Sequence, residues 1–255
     1  MRVSVLTPCY NAAQTIAFTI ESFLAQQHDD KEMIILDGRS TDDTSRIAET
    51  YTSANVRLFS APDKGMYDAL NKGLTLYTGD AVGVLNADDC YHDDAVLTRI
   101  ADGLVPAQIV HGHLDFVRDH LDKQIVRRWR AEPRPSNGFR SGWMPAHPTF
   151  YVRRHVADKV GPFDLSLITA ADYDWMIRAL ELHGFSSAIV DHVMVDMAQG
   201  GRSTAGPGAH LRHNLEALRA RQKWLGSGPV DYALLAKPLR KLKQFLVPAH
   251  RSRSA

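Results

Sequence analysis

Short apolar runs rich in β-branched residues alternate with segments whose apolar positions recur every three or four residues. That alternation lays out the first hundred positions. VSVLTP (3–8) reads as a buried strand closed by proline, and Ile16, Ile20, Phe23 and Leu24 then recur at helical spacing, with Asn11 as a candidate N-cap. MIIL (33–36), VRLFS (56–60) and AVGVL (81–85) read as three more strands. Ser40 and Asp43 stand at capping-box spacing before a weak helix through Ile47 and Tyr51. Met66, Leu70, Leu74 and Tyr77 mark a third helix, and Val96, Ile100 and Leu104 a fourth.

The pattern loosens in the second half. IVHGHLDFVR and KQIVRRWR predict a hairpin turning at 119–123, FYV (150–152) a short strand, and AIVDHVMVDM (188–197) a longer one. DYDWMIRALELHG (172–184) predicts a helix closed by Gly184, and a long helix runs from about 210 to 225. GSGP (226–229) is the best linker, which divides the chain into a domain of 1–225 and an appendage of 226–255. Strands alternating with helices imply an α/β fold with a mostly parallel sheet. Ligands of such sheets bind outside the carboxyl ends of the strands. Those ends carry residues 7–11, 37–39, 61–64 and 86–89, and three of the four loops bear carboxylates. They converge on one acidic crevice suited to a cation.

Bulk properties narrow the setting. The 255 residues suffice for one large domain with an appendage, and 44% apolar with 23% charged is ordinary for a globular chain. A net charge of +1 gives no global field for nucleic acid. Two cysteines, Cys9 and Cys90, make no disulfide framework and fit a reducing compartment, so the expectation is cytoplasmic. No leader-like apolar stretch opens the chain and no run approaches the length of a membrane span.

Two groups of carboxylates stand out. Asp88 and Asp89 follow the fourth strand; adjacent like charges there suit either a hard cation or a turn that caps the next helix. Asp172 opens the helix carrying Met176, Ile177 and Leu180, where it serves either as a cap or as a general base. Asp37, after the second strand, can accept two hydrogen bonds from a base imide or a ribose diol, or act as a loop carboxylate.

TPCYN, LDGRSTDDT, PDKGMYDALNKGL, TGDAVGVLNADD and ADYDWMIRAL, in this order, resemble the inverting GT-A glycosyltransferases of family two, of the bacterial kind that extends lipid-linked surface polysaccharide. The match is dense over 3–100 and looser to about 205. The resemblance implies a three-layer GT-A fold around the mostly parallel sheet. It places Asn86, Ala87 and Asp88 on the family's Asp-x-Asp motif, with Asn86 replacing the usual first Asp. Asp88 is then the expected ligand of a divalent metal, Mn²⁺ or Mg²⁺, and Asp89 a second ligand or an organiser of the first. Thr7, Pro8, Tyr10, Asp37 and Asp63 would line the nucleoside pocket, with Lys72 or Lys64 toward phosphate. Asp172 aligns with the catalytic base, although Ala171 stands where the family usually has Glu. His147 matches a histidine near the site, and Arg202, in the GGRS loop (200–203), would face the departing diphosphate.

The implied reaction moves a sugar from a nucleotide sugar, UDP-linked, to an acceptor hydroxyl of a lipid-linked glycan. Two other readings compete: a noncatalytic nucleotide-sugar-binding module, suggested by the absent Asp and Glu, and a nucleotidyltransferase, which would want a glycine- and basic-rich loop where TPCYN stands. In the appendage, Lys237, Arg240, Lys241, Lys243, Arg251 and Arg253 accompany Leu235, Leu239, Leu242 and Leu246 at helical spacing, interrupted by Pro238. A basic amphipathic segment of this kind suits an anionic surface, such as the inner face of the cell membrane.

Overall fold

The computed structural model describes residues 1–121, 123–198, 207–228 and 231–233, and the side chains of the last helix from Leu211 onward. The first half runs β1 (Val3–Cys9), α1 (Ile16–Leu24), β2 (Lys31–Asp37), α2 (Thr44–Glu49), β3 (Val56–Ser60), α3 (Met66–Leu76) and β4 (Ala81–Val84). After β5 (Asp89–Tyr91) and α4 (Val96–Gly103) come the hairpin β6 (Ile109–Val117) and β7 (Ile125–Trp129), then β8 (Tyr151–Arg153) and α5 (Arg154–Val160). Then follow α6 (Ala171–Ile177), β9 (Ser187–Ala198) and α7 (Pro207–Leu225).

Among the described residues these strands form one sheet in the order β3-β2-β1-β4-β8-β6-β9-β5, with β7 alongside β6. The half from β3 to β4 is parallel throughout, because each strand returns through a helix. Beyond it the directions mix. β8 runs antiparallel to both β4 and β6, β9 is parallel to β6, and β5 and β7 are antiparallel. Side chains alternate across the sheet, so Val5 joins the core under α1 and α4 while Leu6 joins the one under α3 and α6. Burial on both faces accounts for the apolar runs within β2 and β4.

Register brings the site together. Cys9 lies opposite Asp37, and Asp37 opposite Ser60, so three strands end on one line. β4 ends beside them, with Leu6 paired to Val84.

Several local expectations change. Asn11 caps no helix; its backbone is left-handed (φ 52°) and its Oδ1 accepts the N–H of Thr41. Ser40 and Asp43 make no capping box, because Ser40 turns to Asp37 and Asp43 pairs with Arg46. The helix at 172–184 is α6 followed by a π turn, Arg178–Leu182, with Gly184 left-handed beyond it. Past residue 226, Arg221 donates Nε to Asp231 Oδ2 at 2.5 Å and Nη2 to Oδ1 at 2.9 Å, and Ala233 is buried. Arg202 with its GGRS loop, and the basic tail from 234 onward, lie outside the described residues.

Candidate active site

The floor of the strand-end crevice is Asp37, only 2% exposed. Its Oδ1 accepts the Ser40 hydroxyl at 2.5 Å and the Ser40 N–H at 3.1 Å, and its Oδ2 accepts the Ser60 hydroxyl at 2.7 Å. The loop after β1 is clamped to this one: Asn11 N–H donates to Ser40 Oγ and Ala12 N–H to Thr44 Oγ1. Asn11 and Arg39 both hold left-handed backbones there, a conformation that the reciprocal bonds between the loops keep in place. Thr7 and Pro8 are buried in β1, while Tyr10 stands out at 41% exposure.

Asp63 arrives from the loop after β3. Its carboxylate lies so close to Gly38 that a Cβ there would meet Oδ2 at 2.5 Å. Gly65 N–H holds its Oδ1 at 2.8 Å, and Gly65 needs its glycine because φ is 118° at the start of α3. Lys72 donates to the Pro62 carbonyl at 2.5 Å and pairs with Asp68 at 3.2 Å, so its ammonium braces this loop. The Cys9 thiol is pushed up to about 12 by burial and then by Asp37 and Asp63, which leaves it inert.

The turn after β4 separates its two carboxylates. Asp88 is half-buried, and burial raises its carboxyl above the ordinary value. Asp89 is 1% exposed, and burial followed by repulsion from Asp88 raises it much further. Asn86 Nδ2 donates to Asp89 Oδ2 at 2.9 Å, and Thr19 ties the main chain through Asp89 O at 2.8 Å. Ala87 is buried between them. Asn86 Oδ1 and Asp89 Oδ1 are buried with no partner among the described residues. From the β6–β7 turn, His120 Nε2 bonds the Asp88 carbonyl at 2.8 Å.

No group of three or more histidine, cysteine or carboxylate side chains among the described residues could cage a metal. The donor set instead fits the mode in which one carboxylate holds the ion and substrate phosphates complete its shell. Asp88 could serve in that mode, with Asp89 behind it bonded to Asn86.

Asp172 lies in the first turn of α6 yet makes no capping bond. Tyr67 on α3 donates its hydroxyl to Asp172 Oδ1 at 3.0 Å, and His147 Nδ1 stands 4.0 Å from Oδ2. Burial lowers the imidazole's pKa against the pull of Asp172, so His147 is neutral near pH 7. Burial, then the neighbouring carboxylate, raises the Tyr67 phenol well above its usual value, so it remains a donor. Asp172 and His147 line one pocket with Leu6, Val84, Phe163 and Trp175, and Val84 sits two residues before Asn86. Residues 86–89 do not line that pocket themselves; its edge on this side is Val84, the last residue of β4. Asp174 faces elsewhere, to Arg178 and Trp224. Trp143 is packed at 3% exposure, its Nε1 given to the Glu132 carbonyl.

The model of Glycosyl transferase family 2 matches residues 4–161. The chain belongs to that family. A PGL/p-HBAD biosynthesis glycosyltransferase of Mycobacterium bovis is 29% identical over 189 residues, covering 69% of this chain and 68% of that protein. An uncharacterised glycosyltransferase of Nostoc is 32% identical over 178 residues, covering 64% and 54%. Among solved structures, residues 1–349 of TarS from S. aureus with UDP-GlcNAc superpose at TM-score 0.72 and 18% identity, covering 95% of this chain and 73% of that one. The mannosyltransferase PcManGT of Pyrobaculum calidifontis, with GDP-Man and Mn²⁺, gives 0.65 and 21%, covering 96% and 69%. At such identities the structural likeness carries the GT-A fold alone. This family 2 enzyme is a glycosyltransferase, and its GT-A architecture is the one the sequence implies.

Three participants escape a reading of the sequence. Tyr67 reaches Asp172 across 105 positions, Ser60 reaches Asp37 across 23, and Gly38 makes room for Asp63. Each contact is made by the register of the sheet or the packing of helices, and no local spacing announces it.

Proposed function

We propose that this family 2 glycosyltransferase transfers a sugar, with inversion, from a UDP-sugar to a hydroxyl of a lipid-linked glycan at a membrane surface. The carrying observation is the Asp172 carboxylate, part-exposed and held by Tyr67, in a pocket whose Val84 leads directly into the Asp88 turn. Asp37 and Asp63 receive the nucleoside through the hydrogen bonds that their carboxylates can accept. Thr7, Pro8 and Tyr10 shape the same end. Asp88 would hold Mn²⁺ or Mg²⁺ against the donor phosphates, and the ion's charge would offset that of the leaving diphosphate. Asp172 takes the acceptor's proton as the hydroxyl attacks the anomeric carbon, and a single displacement from the opposite face inverts it. Tyr67 holds one oxygen of that carboxylate, and His147 shields the other without competing as a charge. Arg202 is assigned to the departing diphosphate.

The UDP complex of S. aureus TarS supports a uridine donor, and the Mn²⁺ complex of PcManGT supports the metal. No helix among the described residues is long and apolar enough to cross a membrane, and the basic tail supplies the proposed attachment. The test is a panel of UDP-, GDP- and dTDP-sugars scored for thermal stabilisation with and without Mn²⁺, followed by release of nucleoside diphosphate. UDP-sugars should stabilise most and only with metal. Stabilisation without release would turn the reading to a noncatalytic binding module.

A further inference from the structure

The helix that carries Asp172 has no cap from its own segment: Ala170 is the N-cap and offers no side-chain bond. The segment that leads into the helix is instead tied down from α7. Glu216, 5% exposed, accepts the Thr169 N–H at 2.8 Å, the Ala170 N–H at 3.1 Å and the Thr169 hydroxyl at 2.9 Å on Oε2. Its Oε1 accepts the Ile168 N–H at 3.2 Å. One turn earlier, His213 Nδ1 bonds the Thr169 carbonyl at 2.9 Å. Thr169 thus gives both its N–H and its carbonyl to α7.

The grip continues below. Arg221 Nη1 donates to the Tyr173 hydroxyl at 2.9 Å, and Trp224 Nε1 donates to Asp174 Oδ1 at 2.6 Å. Residues 168, 169, 170, 173 and 174 are all held from α7. Asp172, in their midst, has its carboxylate on Tyr67 and His147 instead. Burial alone would push the Glu216 carboxyl up, yet the bonds from 168–170 hold it below its ordinary value. One buried carboxylate thus takes four hydrogen bonds from the three residues that lead into the base helix.

We propose that Glu216 is the positioning residue for the base: from α7 it fixes residues 168–170 and so sets where the Asp172 carboxylate stands. The inference rests on Asp172 being the base. A misplacement of about 1 Å at a reacting group can cost about 100-fold in rate. Glutamine at 216 is isosteric but turns an amide NH₂ toward donors. Glu216→Gln is therefore expected to lower kcat about 10- to 100-fold, measured as UDP release from UDP-GlcNAc with Mn²⁺, while the KM for UDP-GlcNAc stays within about twofold. Glu216→Asp, which keeps the charge, should lose less. Amide hydrogen exchange at Thr169 and Ala170 should quicken at least tenfold in Glu216→Gln, with the β1 and β2 amides unchanged.

A folded Glu216→Gln protein with wild-type kcat overturns the proposal, as does a rise in KM that matches the fall in kcat. If Glu216→Gln fails to fold, Thr169→Val decides, since it removes only the hydroxyl bond. A few-fold fall in kcat at constant KM supports the assignment, and a wild-type kcat overturns it. Asp172→Asn, run alongside, separates the two claims. Normal turnover there removes the base itself, whereas its loss beside a normal Glu216→Gln removes only the positioning role.

Discussion

Gly38→Ala is the sharpest probe of the donor end. The new Cβ would meet Asp63 Oδ2 at 2.5 Å and Cγ at 3.1 Å, where ordinary contact begins at 3.4 Å. The carboxylate must withdraw by about 0.9 Å, and as the end of a side chain it can. Doing so strains or breaks the 2.8 Å bond from the Gly65 N–H, worth about 1 kcal/mol net. Gly38 itself has no left-handed backbone, so no conformational cost is added. For a chain of this size, about 1 kcal/mol lowers Tm by about 2–4 °C. Donor binding should suffer more than the fold. If Asp63 accepts a nucleoside hydrogen bond, losing that charge-assisted contact costs about 1.5–3 kcal/mol, or about 10- to 150-fold in Kd. Calorimetric titration with UDP and Mn²⁺, beside a thermal melt, separates the two effects. Wild-type UDP affinity in a folded Gly38→Ala protein would refute a nucleoside contact at Asp63.

Other outcomes follow from the same geometry. Asp172→Asn should keep UDP-dependent stabilisation while turnover drops about 10²- to 10⁴-fold, read by UDP release. Asp88→Ala should abolish the Mn²⁺-dependent part of UDP binding, seen by comparing titrations with and without metal. Gly83→Ala drives a Cβ to 2.3 Å from the Tyr151 ring, so it should cost at least about 1–3 kcal/mol in urea unfolding. Burial, then His113, lowers His111 to about 4, whereas an unfolded histidine titrates near about 6.5. Between those pH values the unfolded chain binds a proton that the folded one refuses. Stability therefore falls as pH drops through that window, by about 3 kcal/mol. Urea midpoints of His111→Phe should show a shallower slope there.

The parallel half of the fold could be read from the chain because β2 and β4 carry the unbroken apolar runs MIIL and AVGV and the connecting helices show their own period. The site loops follow from that half, since Asp37 and the Asp88 turn sit where predicted strands stop. The second half hides more. β5 has only three residues, and two of them, Asp89 and Cys90, look like part of a turn. α5 opens on Arg154 and His155, with no capping side chain to announce it. Asp89 shows the limit for side chains. Sequence spacing sets it beside Asp88 as an equal, but pairing of β5 with β9 buries it and turns its carboxylate to Asn86. Lys72 shows another limit, since its partners at Pro62 and Asp68 decide its place more than its charge does.

The sheet narrows to an isthmus at β8. Three residues join the halves there, with two register pairs to β4 on one side and two to β6 on the other. The Asp37 and Asp63 loops hang from one bank, the β6–β7 hairpin and β9 from the other. Within the sheet, Val152 alone is paired on both sides, to Val82 of one bank and Ile109 of the other, so the backbone continuity between the two banks runs through a single residue.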